Sequence, residues 1–373
     1  MSAHEILIYI MAAFAVLGAL DRIFGNRLGL GKEFENGILA MGTLALAMAG
    51  IITLAPVLAA ILRPVVVPVY RFLGADPAMF AGTILACDMG GAPLAAELTE
   101  NTQSALLGGV ITGSMLGATV VFTIPVALGI LSEADVPALA KGVLCGVVTV
   151  PAGVFVGGVT AGFPVGMVLR NLIPIVLIAA LIALGLWKAE KAMIRIFRIF
   201  GKGVVIVITA GLAVSIVQTL TSLTILPGLT PIENAFQTVG EIAIVLSGAF
   251  PLVLVITKLL KKPLLKLGRL LKINGAAAAG LVATLANSIA TFGMVKDMDE
   301  RGKVVNLAFA VSGAFVFGDH MGFTAGYAPA MLPAVIVGKL TGGVLAAAVA
   351  LLLTRDLTSP GKSGYNDRVE RHG

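Results

Sequence analysis

Residues 35–50 read ENGILAMGTLALAMAG, and residues 233–248 read ENAFQTVGEIAIVLSG. The second stretch begins 198 positions after the first and repeats its Glu-Asn pair and two of its glycines at matching places. The same offset relates Leu73 to Leu271 and the pair at 81–82 to the pair at 279–280. One offset that persists over this length indicates an internal duplication. Duplicated hydrophobic chains are typical of secondary transporters, which bind their substrate near the membrane midplane between the repeats.

The composition indicates a membrane protein independently of the duplication. Hydrophobic residues make up 58% of the chain and charged residues only 12%, against about 25% charged residues in soluble domains. Several apolar stretches are long enough to cross about 30 Å of hydrocarbon as helices. The long stretches are 4–20, 37–62, 104–131, 138–160, 164–187, 202–222, 235–257 and 331–353. With 276–295 and 303–325, the sequence predicts an all-α, polytopic integral membrane protein with about 10–11 membrane segments.

The relative direction of the two repeats depends on where the basic residues lie, because Lys and Arg accumulate in short cytoplasmic loops. Two basic clusters stand out, one from Lys188 to Lys202 and one from Lys258 to Lys272. If both are cytoplasmic and the segments 78–96 and 276–295 are re-entrant or broken, equivalent helices run in opposite directions, which makes the repeats inverted. If those two segments cross fully, the first cluster moves outside. We favour the inverted arrangement.

The domain organisation follows from the duplication. Repeat one spans 1–200 and carries an extra helix near 137–160, because the corresponding segments late in the two repeats are separated by a shorter offset. Repeat two spans 201–354. The segment 355–373 contains Ser-Pro-Gly and mixed charges, and we expect it to be a disordered C-terminal tail.

Polar residues inside apolar segments are the best site candidates, since burying an ionisable group in a membrane is costly. Asp88 is followed by Gly90 and Gly91, a pair that can interrupt a helix and free backbone carbonyls to line a cavity. Asn287 lies at nearly the equivalent place in repeat two. Asp319 is a second buried acidic candidate, and the adjacent His320 can carry a proton near neutral pH. We predict that these six residues bind the substrate.

Each candidate also has a purely structural interpretation. Asp88 could cap a helix, or pair with a buried cation such as Arg170 or Lys339. Asp319 and His320 could lie at a helix end that faces water, and Asn287 could bond a carbonyl in a kinked helix. Glu35 and Glu233 begin apolar segments, where a carboxylate favours the positive helix end, so we interpret them as caps. The turn from Lys296 to Lys303 has mixed charges, and we interpret it as a solvated loop with weak ion pairs.

Enzymatic, metal and nucleic-acid functions are not favoured. The sequence contains no phosphate-binding Gly-Lys motif, no dinucleotide glycine fingerprint and no His-Glu-x-x-His metal site. Its three histidines are His4, His320 and His372, so a catalytic metal centre built on histidine is not expected. The net charge of +6 suits membrane topology and gives no case for nucleic acid. We therefore expect no cofactor, no metal and no catalytic residue.

Three runs of sequence resemble a known family. They are FENGILAMG at 34–42, FAGTILACDMGG at 80–91 and GKVVNLAFAVSGAFVFGDH at 302–320. The chain resembles the bacterial ethanolamine transporter of ethanolamine-utilisation operons from about residue 4 to about residue 354. The resemblance implies uptake of ethanolamine across the bacterial cytoplasmic (inner) membrane by a multi-pass protein. It leaves the driving force open.

The implied substrate fits the candidate residues. Ethanolamine is mainly a small ammonium at neutral pH, with a hydroxyl two carbons away, so it needs one anion and one hydrogen-bond partner. Our hypothesis is that Asp88 or Asp319 neutralises the ammonium while Asn287 or a freed carbonyl holds the hydroxyl. Aromatic residues are only 6% of the chain, which favours carboxylate recognition over an aromatic cage for quaternary ammonium.

Other functions remain open at this point. The protein could be a channel-like facilitator for neutral ethanolamine or ammonia, or a carrier of another small amine. A membrane-embedded enzyme acting on a lipid headgroup is a third alternative, in which Asp88, Asp319 and His320 would be catalytic with a metal; the lack of clustered ligands argues against it. Membrane lipids are expected partners, and a symmetric homodimer is expected from the frequency of such assemblies.

Overall fold

The computed structural model describes residues 2–357, except the side chains at 3, 260–262, 264, 265, 267 and 269. This part of the chain is helical and contains no strand. Eight of its helices are long and apolar enough to cross a membrane. Each coincides with one of the eight long apolar stretches of the sequence, which confirms the all-α, polytopic class. The two further segments, 276–295 and 303–325, consist of interrupted helices.

The helices follow one another along the chain with short connections. In the first half they are α1 Ala3–Ile23, α2 Leu30–Leu44, α3 Gly50–Phe72, α4 Ala78–Ile84, α5 Gly91–Leu98, α6 Thr102–Ala105, α7 Ile124–Ile130, α8 Val136–Val147, α9 Val150–Thr160 and α10 Val165–Lys188. In the second half they are α11 Glu190–Thr221, α12 Ile232–Leu271, α13 Gly275–Ala286, α14 Ser288–Met294, α15 Glu300–Gly313, α16 Asp319–Tyr327 and α17 Leu332–Leu353. Segments of π-helix occupy Ala45–Ala49, Leu106–Gly117 and Thr119–Thr123.

The first interruption separates α4 from α5. Leu85 and Ala86 are extended, a 3₁₀ turn follows at Cys87–Met89, and Gly90 has φ +89°. A left-handed residue of this kind is favourable only for glycine. The segment 78–96 is therefore broken beside Asp88, as the glycine pair predicts. Whether it is re-entrant stays a prediction.

Two more interruptions meet in the second half of the chain. Asn287 is extended (φ −157°, ψ 119°) between α13 and α14. The connection between α15 and α16 lies across the end of α13, where the Phe315 and Phe317 amides donate hydrogen bonds to the carbonyls of Thr284 (3.1 Å) and Leu285 (2.9 Å). Backbone groups inside a membrane must be paired within the protein. These two hydrogen bonds provide part of that pairing, and they hold the connection between α15 and α16 against the end of α13, next to the break at Asn287.

Helices of the bundle pack closely where glycines lie at their crossings. A Cβ atom at Gly37 of α2 would overlap the backbone of α12 at Leu246, and one at Gly82 of α4 would overlap the carbonyl oxygen of Gly108 in the long π-helix. Small residues at such crossings let helices approach closely. The α2–α12 contact joins the two segments that the duplication relates. The assignment of repeats and their inversion stay predictions.

The connection before α15 differs from the predicted solvated turn. Lys303 lies in the first turn of α15, where its ammonium is 2.8 Å from the Asp135 carboxylate and 2.7 Å from that of Glu300. The Lys303 and Asp135 side chains are only 13% and 6% exposed. The ion pair with Asp135 is therefore largely buried and joins α15 to the beginning of α8. The interpretation as a solvated loop is wrong for Lys303, because its side chain points into the bundle.

We expect Asp135→Asn to destabilise the protein by about 1–2 kcal/mol, because a hydrogen bond to a charged group is replaced by a weaker one. Thermal unfolding of the purified protein measures this effect. Glu300→Gln is the matched control, since the Glu300 side chain is 68% exposed and exposed pairs contribute little. Equal losses for the two variants would contradict the importance of burial at Asp135.

Some sequence predictions fall on residues that are not described. The predicted disordered tail, 355–373, lies outside the described residues from 358 onward. The side chains of Lys261, Lys262 and Arg269, which belong to the second basic cluster, also lie outside them.

Candidate functional site

A buried polar cluster lies where the first interruption meets α16 and α17. Nε2 of His320 is 3.7 Å from Oδ1 of Asp88. On the other side of the ring, Nζ of Lys339 is 3.0 Å from Nδ1 of His320 and also donates a hydrogen bond to the backbone carbonyl of Ser114. The Asp88 and His320 side chains are 15% and 4% exposed, and Lys339 is buried. One carboxylate, one imidazole and one amine thus form a line through the interior.

The hydrogen bonds of this cluster determine how the His320 ring is protonated when it is neutral. When Lys339 is charged, its ammonium only donates hydrogen bonds, and Nδ1 of His320 then accepts one from it. The ring proton is therefore assigned to Nε2, which faces Asp88. At 3.7 Å this contact is longer than a hydrogen bond. The ring of Phe315 packs against His320 at a centroid distance of 5.3 Å and helps to keep it in place.

Cys87, Asp88 and His320 offer three ligand atoms within 4.8 Å of one another. Together they have the donor types of a zinc site, although such sites usually have four ligands. The other ring nitrogen of His320 faces Lys339, whose positive charge disfavours a bound metal ion. The expected absence of a metal stays a prediction.

A cavity of about 350 Å³ is lined by Asp319, the residue that precedes His320 in the chain. Its polar lining consists of Asp319, Asn287, Glu33, Asn36 and Thr257. The apolar and glycine lining comes from Phe250, Val253, Leu254, Ala286 and Gly318. The cavity therefore combines carboxylates with amides, which can bind a cation and a neutral hydrogen-bonding group side by side.

The local structure explains how the cavity residues are presented. Asp319 begins α16 and is half-buried, and a carboxylate in a first helical turn is favoured by the helix dipole. Asn287 caps α14, because its Oδ1 accepts a hydrogen bond of 2.8 Å from the Ile289 amide. Asn287 is also one of the residues that line the cavity. Asn36 donates a hydrogen bond of 3.2 Å to Glu33 across one turn of α2.

The structure distributes the six predicted site residues over three places. Asp88 and His320 lie in the buried cluster, and Asn287 and Asp319 line the cavity. Gly90 and Gly91 restart the helix after Asp88, where Gly90 packs on Ile51. These glycines position Asp88, and their predicted contact with substrate stays untested. Since Asp319 and His320 are neighbours in the chain, the cluster and the cavity adjoin.

Sequence reasoning did not select four residues that the structure places here: Lys339, Ser114, Glu33 and Asn36. Lys339 appeared only as a possible partner of Asp88, and it proves to reach Asp88 through His320. Asn36 belongs to the duplicated Glu-Asn pair, which was the available signal.

The capping interpretation of Glu35 is wrong, since α2 begins at Leu30 and Glu35 lies one turn later near Arg22 and Lys32, both at 3.9 Å. Glu233 does lie in the first turn of α12.

A larger cavity of about 1100 Å³ is less suited to a cation. Its lining includes Arg63, Arg71 and Arg170, together with Asp76 and Glu100. Three guanidinium groups outnumber the two carboxylates and disfavour an ammonium ligand. Arg170 faces this cavity, which leaves Lys339 as the cation of the Asp88 cluster.

The long apolar helices and the central interruptions with polar side chains define the class: a multi-pass α-helical membrane protein with a buried polar site. The chain belongs to the ethanolamine utilisation protein EutH family, whose model matches residues 3–353.

Several relatives share nearly the whole chain. A protein of Listeria monocytogenes named probable ethanolamine permease EutH is 58% identical over 373 residues, which cover 100% of both chains. A Salmonella typhimurium protein of the same name is 48% identical and covers 95% of this chain and 96% of its own. The Bacillus subtilis protein YxeR is 51% identical over 354 residues, with the same coverage. No solved structure matches the chain.

Proposed function

We propose that this protein carries ethanolamine across the bacterial cytoplasmic membrane and binds it in the cavity lined by Asp319 and Asn287. Two of the relatives described above are named as probable ethanolamine permeases. The observation that carries the proposal for the site is that one cavity brings together a carboxylate and an amide, the two groups that an ammonium alcohol requires. Transport is favoured over an enzymatic activity because these relatives are named permeases.

Asp319 is better placed than Asp88 to receive the ammonium. Asp88 faces His320, which contacts Lys339, so a positive group already balances its charge. Among the described residues, no hydrogen bond or ion pair engages the Asp319 carboxylate, and Asp319 lines the cavity. An arriving ammonium would therefore meet a carboxylate that no cation already pairs with among the described residues. Of the two aspartates, Asp319 is therefore proposed to bind the ammonium of the substrate.

The cavity also supports selection by size and polarity. Ethanolamine has four non-hydrogen atoms, and a cavity of about 350 Å³ has room for it with several waters, each of which occupies about 30 Å³ in the liquid. Choline lacks N–H donors, so its quaternary nitrogen would give the carboxylate no hydrogen bond. We therefore expect choline to compete weakly.

The site draws on both predicted repeats, as expected for a midplane site. Glu33 and Asn36 come from repeat one, while Asn287 and Asp319 come from repeat two. The inverted repeat and its boundaries at 200 and 354 are part of this proposal. A homodimer is also proposed, and the mass of the protein in detergent would test it.

Uptake of labelled ethanolamine into proteoliposomes that contain only this protein tests the function. We expect saturable uptake that unlabelled ethanolamine abolishes and that choline and neutral alcohols reduce little. Stimulation by an imposed proton gradient would identify a coupled carrier, and uptake that stops at equal concentrations would identify a facilitator. Absence of uptake under both conditions would overturn the proposal.

Asn287→Ser separates the capping role of Asn287 from its role in binding. Serine keeps the oxygen that caps α14, so we expect the free energy of unfolding to change by less than about 0.5 kcal/mol. The variant loses the side-chain NH₂ of a residue that lines the cavity, so KM for ethanolamine should rise severalfold. Asn274→Ser is the control for uptake, because the Oδ1 of Asn274 also caps a helix, α13, and Asn274 is not among the residues that line the cavity. Only its KM is compared, since Asn274 also donates a hydrogen bond to the Asp297 carbonyl that serine would lose. An unchanged KM for Asn287→Ser would assign Asn287 to capping alone.

A further inference from the structure

We propose that Lys339 is a built-in cation: it supplies, from the chain itself, the positive charge that a co-transported ion would otherwise bring to the buried Asp88–His320 pair. The transport consequence rests on the proposed function. That Lys339 balances the charge of Asp88 does not depend on the proposed function, and it is tested separately.

The position of Lys339 supports this role. It lies about two turns inside α17, within one of the membrane-spanning candidates, and it is only 1% exposed. An isolated charge at this depth is costly, and charged residues inside a membrane are paired or functional. The amine contacts the Ser114 carbonyl and Nδ1 of His320. A backbone carbonyl and a neutral nitrogen are groups that also solvate small cations.

The backbone around Lys339 is fixed by close packing. A Cβ at Gly338 would lie 2.8 Å from the carbonyl oxygen of Gly153 in α9, and one at Gly342 would lie 2.7 Å from Oγ of Ser312 in α15. Glycines on both sides of Lys339 thus keep α17 against α9 and α15. A lysine on a helix held in this way delivers its amine to one place, as a resident ligand does.

A purely structural role for Lys339 explains the arrangement less well. Replacing a buried ion pair by apolar residues is often neutral or stabilising, so packing alone does not call for a lysine here. Lys339 lies instead at the end of a line that leads through His320 to Asp88. Removing the amine would leave the Asp88 carboxylate buried without a cation. The proposal therefore predicts that any suitable cation, delivered to the same space, restores what Lys339 provides.

Chemical rescue of Lys339→Ala tests the proposal. This substitution removes three carbons and the amine, which together have the shape of n-propylammonium. We expect ethanolamine uptake by the variant to fall at least tenfold and to recover to within about threefold of the unmodified protein when n-propylammonium is added. 1-Propanol, which fills the same space without charge, should restore less than a tenth of the lost uptake.

Two controls accompany the rescue. Lys188→Ala removes an exposed lysine beside Trp187, and its uptake should be unchanged and should not rise with n-propylammonium. The unmodified protein should transport equally well, within twofold, in sodium, potassium and N-methylglucamine buffers. A strict requirement for sodium would overturn the proposal, as would equal rescue by the alcohol and the amine or no rescue by either.

A stability measurement keeps the proposal testable if transport fails. The melting temperature of Lys339→Ala in detergent should rise with n-propylammonium and not with 1-propanol. Where Lys339→Ala does not fold, the double variant Asp88→Asn/Lys339→Met serves instead. It removes both charges, so it should regain at least half of the melting temperature that Lys339→Met loses. Additive losses in the double variant would overturn the charge relationship. The unmodified protein could show no ethanolamine uptake while n-propylammonium still raises the melting temperature of Lys339→Ala. That result would overturn only the proposed function.

Discussion

Asp319→Asn is expected to lower kcat/KM for ethanolamine uptake about a hundredfold or more. The substitution keeps the size of the side chain and removes the negative charge that faces the cavity. Loss of one partner from a buried, hydrogen-bonded charge pair costs about 2–5 kcal/mol, and about 2.8 kcal/mol corresponds to a hundredfold. Initial rates of labelled ethanolamine uptake, measured over a range of substrate concentrations and normalised to the amount of inserted protein, determine the size of the loss.

Two further carboxylates provide the comparison for Asp319. Glu33→Gln changes the other acidic side chain of the same cavity, and since Glu33 already accepts a hydrogen bond from Asn36, we expect a loss of only a few fold. Asp297→Asn changes an exposed aspartate before α15 and should leave uptake unchanged. If Asp319→Asn stayed within threefold of the unmodified protein while Glu33→Gln lost a hundredfold, the ammonium would have to be placed at Glu33.

The sequence predicted the long helices well because their signal is local. Each long apolar stretch, such as 164–187, must cover the hydrocarbon with its own residues, so composition and length suffice to find it. The break beside Asp88 was predictable for a similar reason, since the glycine pair that follows it is a local signal. The π-helix at Leu106–Gly117 was not predicted, because a change in backbone hydrogen bonding leaves no mark on an apolar run.

The cost of burying polar groups in a membrane identified the candidate residues, but it could not show which of them lie together in space. Their cost inside a membrane singled out Asp88, Asn287, Asp319 and His320, whatever their spatial arrangement. Which carboxylate is already balanced depends on Lys339, whose amine reaches His320 from another helix. Such a contact between residues 19 positions apart across two helices is fixed by packing and is invisible in sequence spacing. Glu33 and Asn36 were missed because they lie near the start of α2, where charged and polar residues are common.

Gly90→Ala is expected to destabilise the protein by about 2–6 kcal/mol and to lower uptake in proportion to the loss of folded protein. Gly90 has φ +89°, a conformation that costs an L-residue about 1–3 kcal/mol. A Cβ atom would also overlap the side chain of Ile51, and such overpacking typically costs about 1–3 kcal/mol more. Both effects act on the turn that carries Asp88. Thermal unfolding in detergent and the yield of monodisperse protein measure the loss.

The two causes can be separated with variants of the same chain. Gly74 has φ +71° and no neighbour within 4 Å of an added Cβ, so Gly74→Ala should show only the backbone cost of about 1 kcal/mol. The overlap at Gly90 involves a side chain, so Ile51→Ala should relieve it, and Gly90→Ala/Ile51→Ala should lose less than the sum of the two single variants. Additive losses in that double variant would mean that the left-handed backbone, rather than contact with Ile51, requires glycine at this turn. Because this turn places Asp88 opposite His320, glycine at position 90 helps to set the geometry of the buried cluster in either case.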